Sequence, residues 1–121
     1  MVGARPKTET EFLGRNSLLL FTALLELDAQ AAIVVLGVHS GTPYYDCSSS
    51  FLSSVQVIVD GQCSGRVRVA APFLDWTKKQ IWHYCVEHQV PLELTYSCER
   101  GVDRPCGVCL TCRDLEAIRA G

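Results

Sequence analysis

Leucine and alanine crowd the stretch from Asn16 to Gln30, NSLLLFTALLELDAQ, which contains neither glycine nor proline. That composition predicts a helix, and apolar residues on nearly every face predict one buried on more than one side. From Ala31 to Val38 the chain reads AAIVVLGV, a continuous apolar run rich in β-branched residues. A strand covered on both faces has this pattern.

Polar and turn-forming residues then take over. His39 to Ser48 contains SGTP and predicts a loop. Ser48 to Ser50 can each cap a helix over Phe51 to Asp60, although VQVIV within it also alternates like a strand. GQCSG marks a turn, and Val67 to Ala71 predicts a second strand. Thr77 and Gln80 have the spacing of a capping box and open a helix through Gln89, which Pro91 ends.

Helix, strand, helix, strand, helix is an α/β order and implies a parallel sheet. Two or three strands are too few to make such a sheet covered on both faces, and they leave a bare edge. The expectation is therefore a flexible lead-in over residues 1–12 and, over 13–121, part of a larger fold. Further sequence or another subunit would complete it, as a homo- or hetero-oligomer.

Composition narrows the function. A chain of 121 residues, 48% hydrophobic and 20% charged, matches an ordinary soluble globular domain. Eleven basic against 13 acidic residues leave a net charge of −2. No positive excess is available for phosphates, so direct nucleic-acid binding is not expected. The N-terminus lacks the apolar core of a secretion signal. The greasiest stretch, Leu18 to Leu27, is about half of the roughly 20 apolar residues a membrane crossing needs. A cytoplasmic protein with no membrane attachment is expected.

In a reducing compartment, seven cysteines need a reason other than disulfides. Cys98, Cys106, Cys109 and Cys112 have one, the spacing C-x7-C-x2-C-x2-C. A C-x2-C turn lets two thiolates approach one metal while backbone amides point at the sulfurs, and Gly107 gives the first such turn its freedom. Four thiolates satisfy tetrahedral zinc and leave no open position, which makes the expected site structural. An iron–sulfur cluster is the main rival, but ferredoxin-type runs place their fourth cysteine downstream, followed by proline. Here the fourth lies upstream and Arg113 follows Cys112. Free or redox-active thiols are the third reading. Cys47, Cys63 and Cys85 are scattered, and Trp82 and Cys85 fit the buried side of their helix. His83 and His88 fit its exposed side.

The pattern from Ser97 to Cys112, S-C-x7-C-G-x-C-x2-C, resembles the 7-cyano-7-deazaguanine synthase (QueC) family of queuosine biosynthesis. Three upstream segments agree with it. Gly14, Arg15 and Asn16 match its G-R-N. Tyr44, Asp46, Cys47 and Phe51 match its Y-P-D-C segment and following aromatic, with Tyr45 in place of the proline. Ala71, Pro72, Thr77, Lys78 and Ile81 match its A-P-L…T-K-x-x-I segment.

The resemblance implies a partial Rossmann-like adenine-nucleotide α-hydrolase (PP-loop) fold with a C-terminal four-cysteine zinc site. It also implies a ligase that uses ATP, with Mg2+, to turn 7-carboxy-7-deazaguanine and ammonia into the nitrile. The carboxylate is adenylated, ammonia gives an amide, and a second activation dehydrates it. Such chemistry needs anion stabilisers and a pocket that excludes water. One departure stands out. The family's pyrophosphate loop, S-G-G-x-D-S, is absent from these 121 residues. The chain is therefore expected to need an N-terminal PP-loop half or another subunit.

On the resemblance, Arg15, Asn16, Tyr44, Asp46, Cys47 and Lys78 are candidate contacts to a 7-deazaguanine-type substrate or a phosphate. Arg15 and Asn16 open a helix, where amides and a guanidinium can meet an anion, or where Asn16 merely caps. Asp46 and Cys47 follow a strand's C-terminal end, where α/β folds place ligands. Tyr44 can stack on a heterocycle or simply pack. Lys78 falls in a first helical turn, where a phosphate would justify its charge. No catalytic residue is assigned. Two other functions remain open: a non-catalytic, zinc-stabilised binding or scaffold module, and a related ligase for another carboxylate, as in an antiviral modification system.

Overall fold

The computed structural model describes residues 12–27 and 31–121; the remainder of the expected lead-in lies outside them. The described residues form two compact units, a first over Gly14–Ile81 and a second that comprises residues 12–13 and Trp82–Gly121.

The first unit opens with helix α1, Arg15–Leu25. Gly14 stands before it at φ 78°, a left-handed conformation that a side chain would strain. The expected helix ran to Gln30, of which 28–30 lie outside the described residues. Instead the last turns tighten, with the amides of Glu26 and Leu27 bonding back three residues to Ala23 and Leu24. Strand β1, Ala32–Val35, follows.

A single 3-10 turn over Tyr45–Cys47 interrupts the expected loop. Helix α2 then spans Ser49–Cys63. Its cap is Ser48, whose Oγ accepts from the Phe51 amide at 3.2 Å. The helix runs through Gly61, and the turn comes later, at Ser64 and Gly65, both with positive φ. The strand alternative for VQVIV loses because a stripe at four-residue spacing (Phe51, Val55, Val59) faces the core.

Strand β2, Val67–Ala70, pairs parallel with β1, Val34 opposite Val69. Leu20 and Val59 are fully buried, and with Phe51, Val55 and Val67 they form the core of this unit. Leu24, Val34, Leu36 and Val69 pack around it. Val34, Leu36, Val67 and Val69 share one face of the sheet by strand alternation, so α1 and α2 cover that face.

Two expectations are corrected here. Helix α1 is buried along one narrow stripe, with Leu18, Leu19 and Leu25 exposed. Strand β1 is covered on one face only, leaving Ile33 68% and Val35 60% exposed. Both sequences carry more apolar surface than this chain buries.

Helix α3, Lys78–Glu87, begins in the first unit and ends in the second. Its capping box closes in both directions. Gln80 Oε1 accepts from the Thr77 amide at 2.8 Å, and Thr77 Oγ1 accepts from the Gln80 amide at 3.1 Å. Gln89, at φ 55°, follows its end. Trp82 and Cys85, expected in a core, are only half-buried, and no residue of α3 is fully buried. His83 and His88 are exposed, as their spacing indicated. A 3-10 turn over Leu92–Leu94 leads to the cysteine segment and to helix α4, Leu110–Ala120. The Arg119 guanidinium lies 5.3 Å from the Trp82 ring centre, a cation–π contact between α4 and α3.

Candidate metal centre

Cys98 lies on the extended segment after the second 3-10 turn, Cys106 on a loop, Cys109 at the cap of α4 and Cys112 in its first turn. Although they come from different local structures, their four sulfur atoms all lie within 4.8 Å of one another. Cys106 Sγ and Cys112 Sγ are 4.0 Å apart. All seven cysteines are free. Cys98 and Cys112 are buried, and Cys106 and Cys109 half-buried.

Local backbone geometry builds this cluster. Gly107 sits at φ 74°, which folds the chain so that the amides of Val108 and Cys109 reach Cys106 Sγ at 3.5 and 3.2 Å. The Cys106 amide donates to Cys98 Sγ at 3.5 Å. Cys109 Sγ caps α4 by accepting from the Cys112 amide at 3.4 Å. The positive end of the helix dipole therefore meets the sulfurs, where it favours thiolate.

Protonation follows from these contacts. The amides of Cys106 and Arg100 hold the Cys98 thiol down to about 6. The amides of Glu99 and Cys112 lower that of Cys109. At Cys112 the Gly107 amide also favours thiolate, but the Cys109 sulfur, burial and the other two sulfurs outweigh it and push the thiol up to about 12. Negative charges so close cannot all persist without a cation among them.

The donor set fits a single metal ion. Tetrahedral zinc with sulfurs at ~2.3 Å would separate them by ~3.8 Å, so the cluster needs to contract by no more than ~1 Å. Supporting contacts surround it. Thr111 Oγ1 donates to Glu99 Oε1 at 3.0 Å, tying the cysteine loop to the first turn of α4. The Tyr96 hydroxyl donates to the Val102 carbonyl across the same loop. Burial around that hydroxyl and its bond to Cys98, followed by the nearby sulfur charges, push the phenol up to about 12. Neither Tyr96, Glu99 nor Thr111 was singled out from sequence, because nothing in a C-x7-C spacing marks which loop residues brace it.

The remaining candidates lie in the first unit. Asn16 is buried and meets both Asp46 and Cys47. Its backbone amide donates to Asp46 Oδ2 at 3.1 Å, and its side-chain amide donates to the Asp46 carbonyl at 3.0 Å and Cys47 Sγ at 3.6 Å. Thus Asn16 does not cap α1; Asp46, thirty residues on, does. Arg15 is exposed at the first position of α1. Tyr44 is extended ahead of the 3-10 turn, 38% exposed, and its carbonyl accepts from the Cys47 amide. Lys78, half-buried, faces His39, whose pKa falls through burial first and the Lys78 charge second.

The Asp46 cap yields a prediction. Asp46→Ala is expected to destabilise this unit by about 1 kcal/mol in urea unfolding, whereas Asp46→Asn, which can also cap, costs a few tenths. Equal losses in both variants would show that charge, not capping, is what matters there.

Three sets of comparisons bear on identity. The family model described as "Queuosine biosynthesis protein QueC" matches residues 6–117. A 7-cyano-7-deazaguanine synthase of Persephonella marina is 40% identical over 93 residues, covering 70% of this chain and 41% of the relative. One from Synechococcus sp. strain CC9311 is 36% identical over 120 residues, covering 89% and 52%. One from Prochlorococcus marinus strain NATL2A is 32% identical over 110 residues, covering 83% and 48%. The chain spans about half the length of the curated relatives it matches. No solved structure matches it. Among the described residues no helix is long and apolar enough to cross a membrane. With the match running over nearly all of its length, the chain belongs to the QueC family of queuosine biosynthesis proteins.

Proposed function

We infer that this chain, from residue 13 onward, is the zinc-bearing part of a cytoplasmic 7-cyano-7-deazaguanine synthase, with a partial Rossmann-like PP-loop fold. The observation that carries the reading is the convergence of Cys98, Cys106, Cys109 and Cys112 within 4.8 Å, in a chain of this family. That spread suits one ion. The thiolates of a multi-iron cluster bind different irons and must stand further apart. With all four positions taken by sulfur, zinc here cross-links the chain and leaves no site for substrate or water.

The reaction assigned to the whole enzyme is conversion of 7-carboxy-7-deazaguanine and ammonia to the nitrile at the expense of ATP. This chain contributes the neighbourhood of Asn16, Asp46 and Cys47. Asp46 spends Oδ2 on the helix cap; among the described residues its other oxygen has no partner and can accept from the amino edge of a deazapurine. Tyr44 and Lys78 are the stacking and phosphate-facing candidates, and Arg15 an anion contact. The residues present do not fit an ATP site. S-G-G-x-D-S is missing from the sequence, so the loop amides that would hold the ATP phosphates are not among these residues.

The test mixes the purified chain with ATP, Mg2+, ammonia and 7-carboxy-7-deazaguanine, with and without a polypeptide carrying the PP-loop half. Nitrile is expected only when that half is supplied. Nitrile from the chain alone would refute the need for a partner. No nitrile with a folded, associated partner would favour the non-catalytic scaffold that the missing loop also permits.

A further inference from the structure

Two loops leave the carboxyl ends of the parallel strands, residues 36–44 after β1 and 71–77 after β2. Hydrogen bonds tie them together there. The Leu36 amide donates to the Ala70 carbonyl at 2.8 Å, and the Ser40 amide to the Leu74 carbonyl at 2.7 Å. Ligands of α/β folds bind outside this end of the sheet. His39 stands on the first loop between the two tied positions, and Lys78 opens α3 just after the second loop. His39 lies outside every segment that carries the family likeness.

The loop fixes which nitrogen of His39 holds the hydrogen. The Gly41 amide donates to Nδ1 at 3.3 Å. A nitrogen that accepts there cannot itself carry hydrogen, so the ring is neutral and its hydrogen sits on Nε2. Glycine at position 41 makes this fold-back possible. A Cβ there would lie 3.0 Å from Nδ1 and 3.2 Å from Cε1, and the ring would have to swing away. Burial first and the Lys78 charge second lower the pKa of the ring, in keeping with a neutral imidazole.

Lys78 is placed against electrostatics in three ways. It is half-buried, while Lys79 beside it is exposed. It stands at the positive end of α3, whose first turn holds no acidic residue. It also faces the ring that its charge keeps from protonating. One negative charge here would relieve all three. In the same loop as His39, Thr42 has a buried hydroxyl that no group among the described residues meets, a donor in want of an acceptor.

Resting on the synthase reading, we propose that His39 and Lys78 together bind one oxyanion of the ligand, His39 through an uncharged Nε2–H and Lys78 through its ammonium. Two groups of the reaction offer that chemistry, the carboxylate of the acid and the phosphate of the nucleotide. A neutral donor beside a cation suits either. It adds a directed hydrogen bond without a second positive charge to repel Lys78.

The test titrates the purified chain with 7-carboxy-7-deazaguanine in one arm and inorganic pyrophosphate in the other, each to millimolar concentration. Nitrogen NMR follows the His39 ring. Before ligand is added, at neutral pH, Nε2 is expected to carry hydrogen and Nδ1 none. At least one arm should bind and shift the Nε2 signal, and the arm that binds identifies the oxyanion. His39→Ala should weaken that binding roughly tenfold. His39→Gln, whose amide nitrogen reaches the place of Nε2 and stays uncharged, should restore most of it. Gly41→Ala should act like His39→Ala, because its methyl displaces the ring. Lys78→Ala should weaken binding by roughly tenfold or more and raise the His39 pKa, whereas Lys79→Ala should do neither. A protonated ring, hydrogen on Nδ1, no binding in either arm by the folded chain, or binding indifferent to His39→Ala and Lys78→Ala would each overturn the proposal. So would equal losses in His39→Gln and His39→Ala, which would assign the ring a packing role. The functional reading fails separately. Pyrophosphate bound through His39 and Lys78, with no 7-carboxy-7-deazaguanine bound, leaves the proposal standing and removes support for the synthase assignment. Binding of 7-carboxy-7-deazaguanine without dependence on either residue does the reverse.

Discussion

Cys109→Ser, or removal of zinc by a chelator, is expected to unfold Trp82–Gly121 while β1, β2 and α2 stay folded. The reason is how differently the two units are held together. Gly14–Ile81 has an apolar core with Leu20 and Val59 completely buried. Among the described residues of Trp82–Gly121, Cys98 and Cys112 alone are buried, and neither completely. Its order depends on a cross-link between the segment at Cys98 and the start of α4, and a metal bound by four thiolates supplies folding free energy directly. Elemental analysis of the native chain should find about one zinc per molecule, with none in the variant. Amides of α4 should lose protection by more than roughly a hundredfold, and those of β1 and β2 by little. Uniform loss across both units would show that they fold as one.

Acid should act in the same direction. Loading the ion strips the proton that Cys112 holds at a thiol pushed up to about 12, so binding releases protons. The bound state carries fewer protons, and affinity must fall as pH falls. Cys98, already near 6, contributes to that loss only in the acid range.

Phe51→Ala is expected to have the largest effect in the other unit, destabilising it by about 3–5 kcal/mol. Phe51 is buried at the start of α2, packs with Leu20, Val55, Val59 and Val67, and takes the Tyr45 ring edge-on at 5.9 Å. A domain this small has a total stability of roughly 5–15 kcal/mol, so the variant should be near its unfolding midpoint in mild urea. Val57→Ala, at an exposed position of the same helix, should change stability by about 0.5 kcal/mol or less. Similar midpoints for the two variants would mean that the core does not hold this unit together.

Much of this was legible in the sequence, because the features concerned are local. A serine ahead of an apolar stripe caps a helix wherever it occurs, and Ser48 did. Thr77 and Gln80 close their box over three residues, and a C-x2-C turn with glycine inside it brings two sulfurs together unaided. The four-cysteine spacing and the G-R-N, D-C and T-K segments are enough to point to the family. Apolar runs at α1 and β1 also pointed to deep burial, and there composition misled. It reports what a segment can bury, and among the described residues Leu18, Ile33 and Val35 stay exposed.

The chain's own order of residues thus determined most of its elements, their parallel pairing, which four cysteines converge, and the family. Tertiary structure alone decided that Asp46 caps a helix thirty residues away and that Tyr96 and Thr111 brace the cysteine loop. Caps, boxes and apolar periodicity depend on neighbours a few positions apart. A hydrogen bond between distant residues depends on where the whole backbone goes, and no spacing along the chain encodes that.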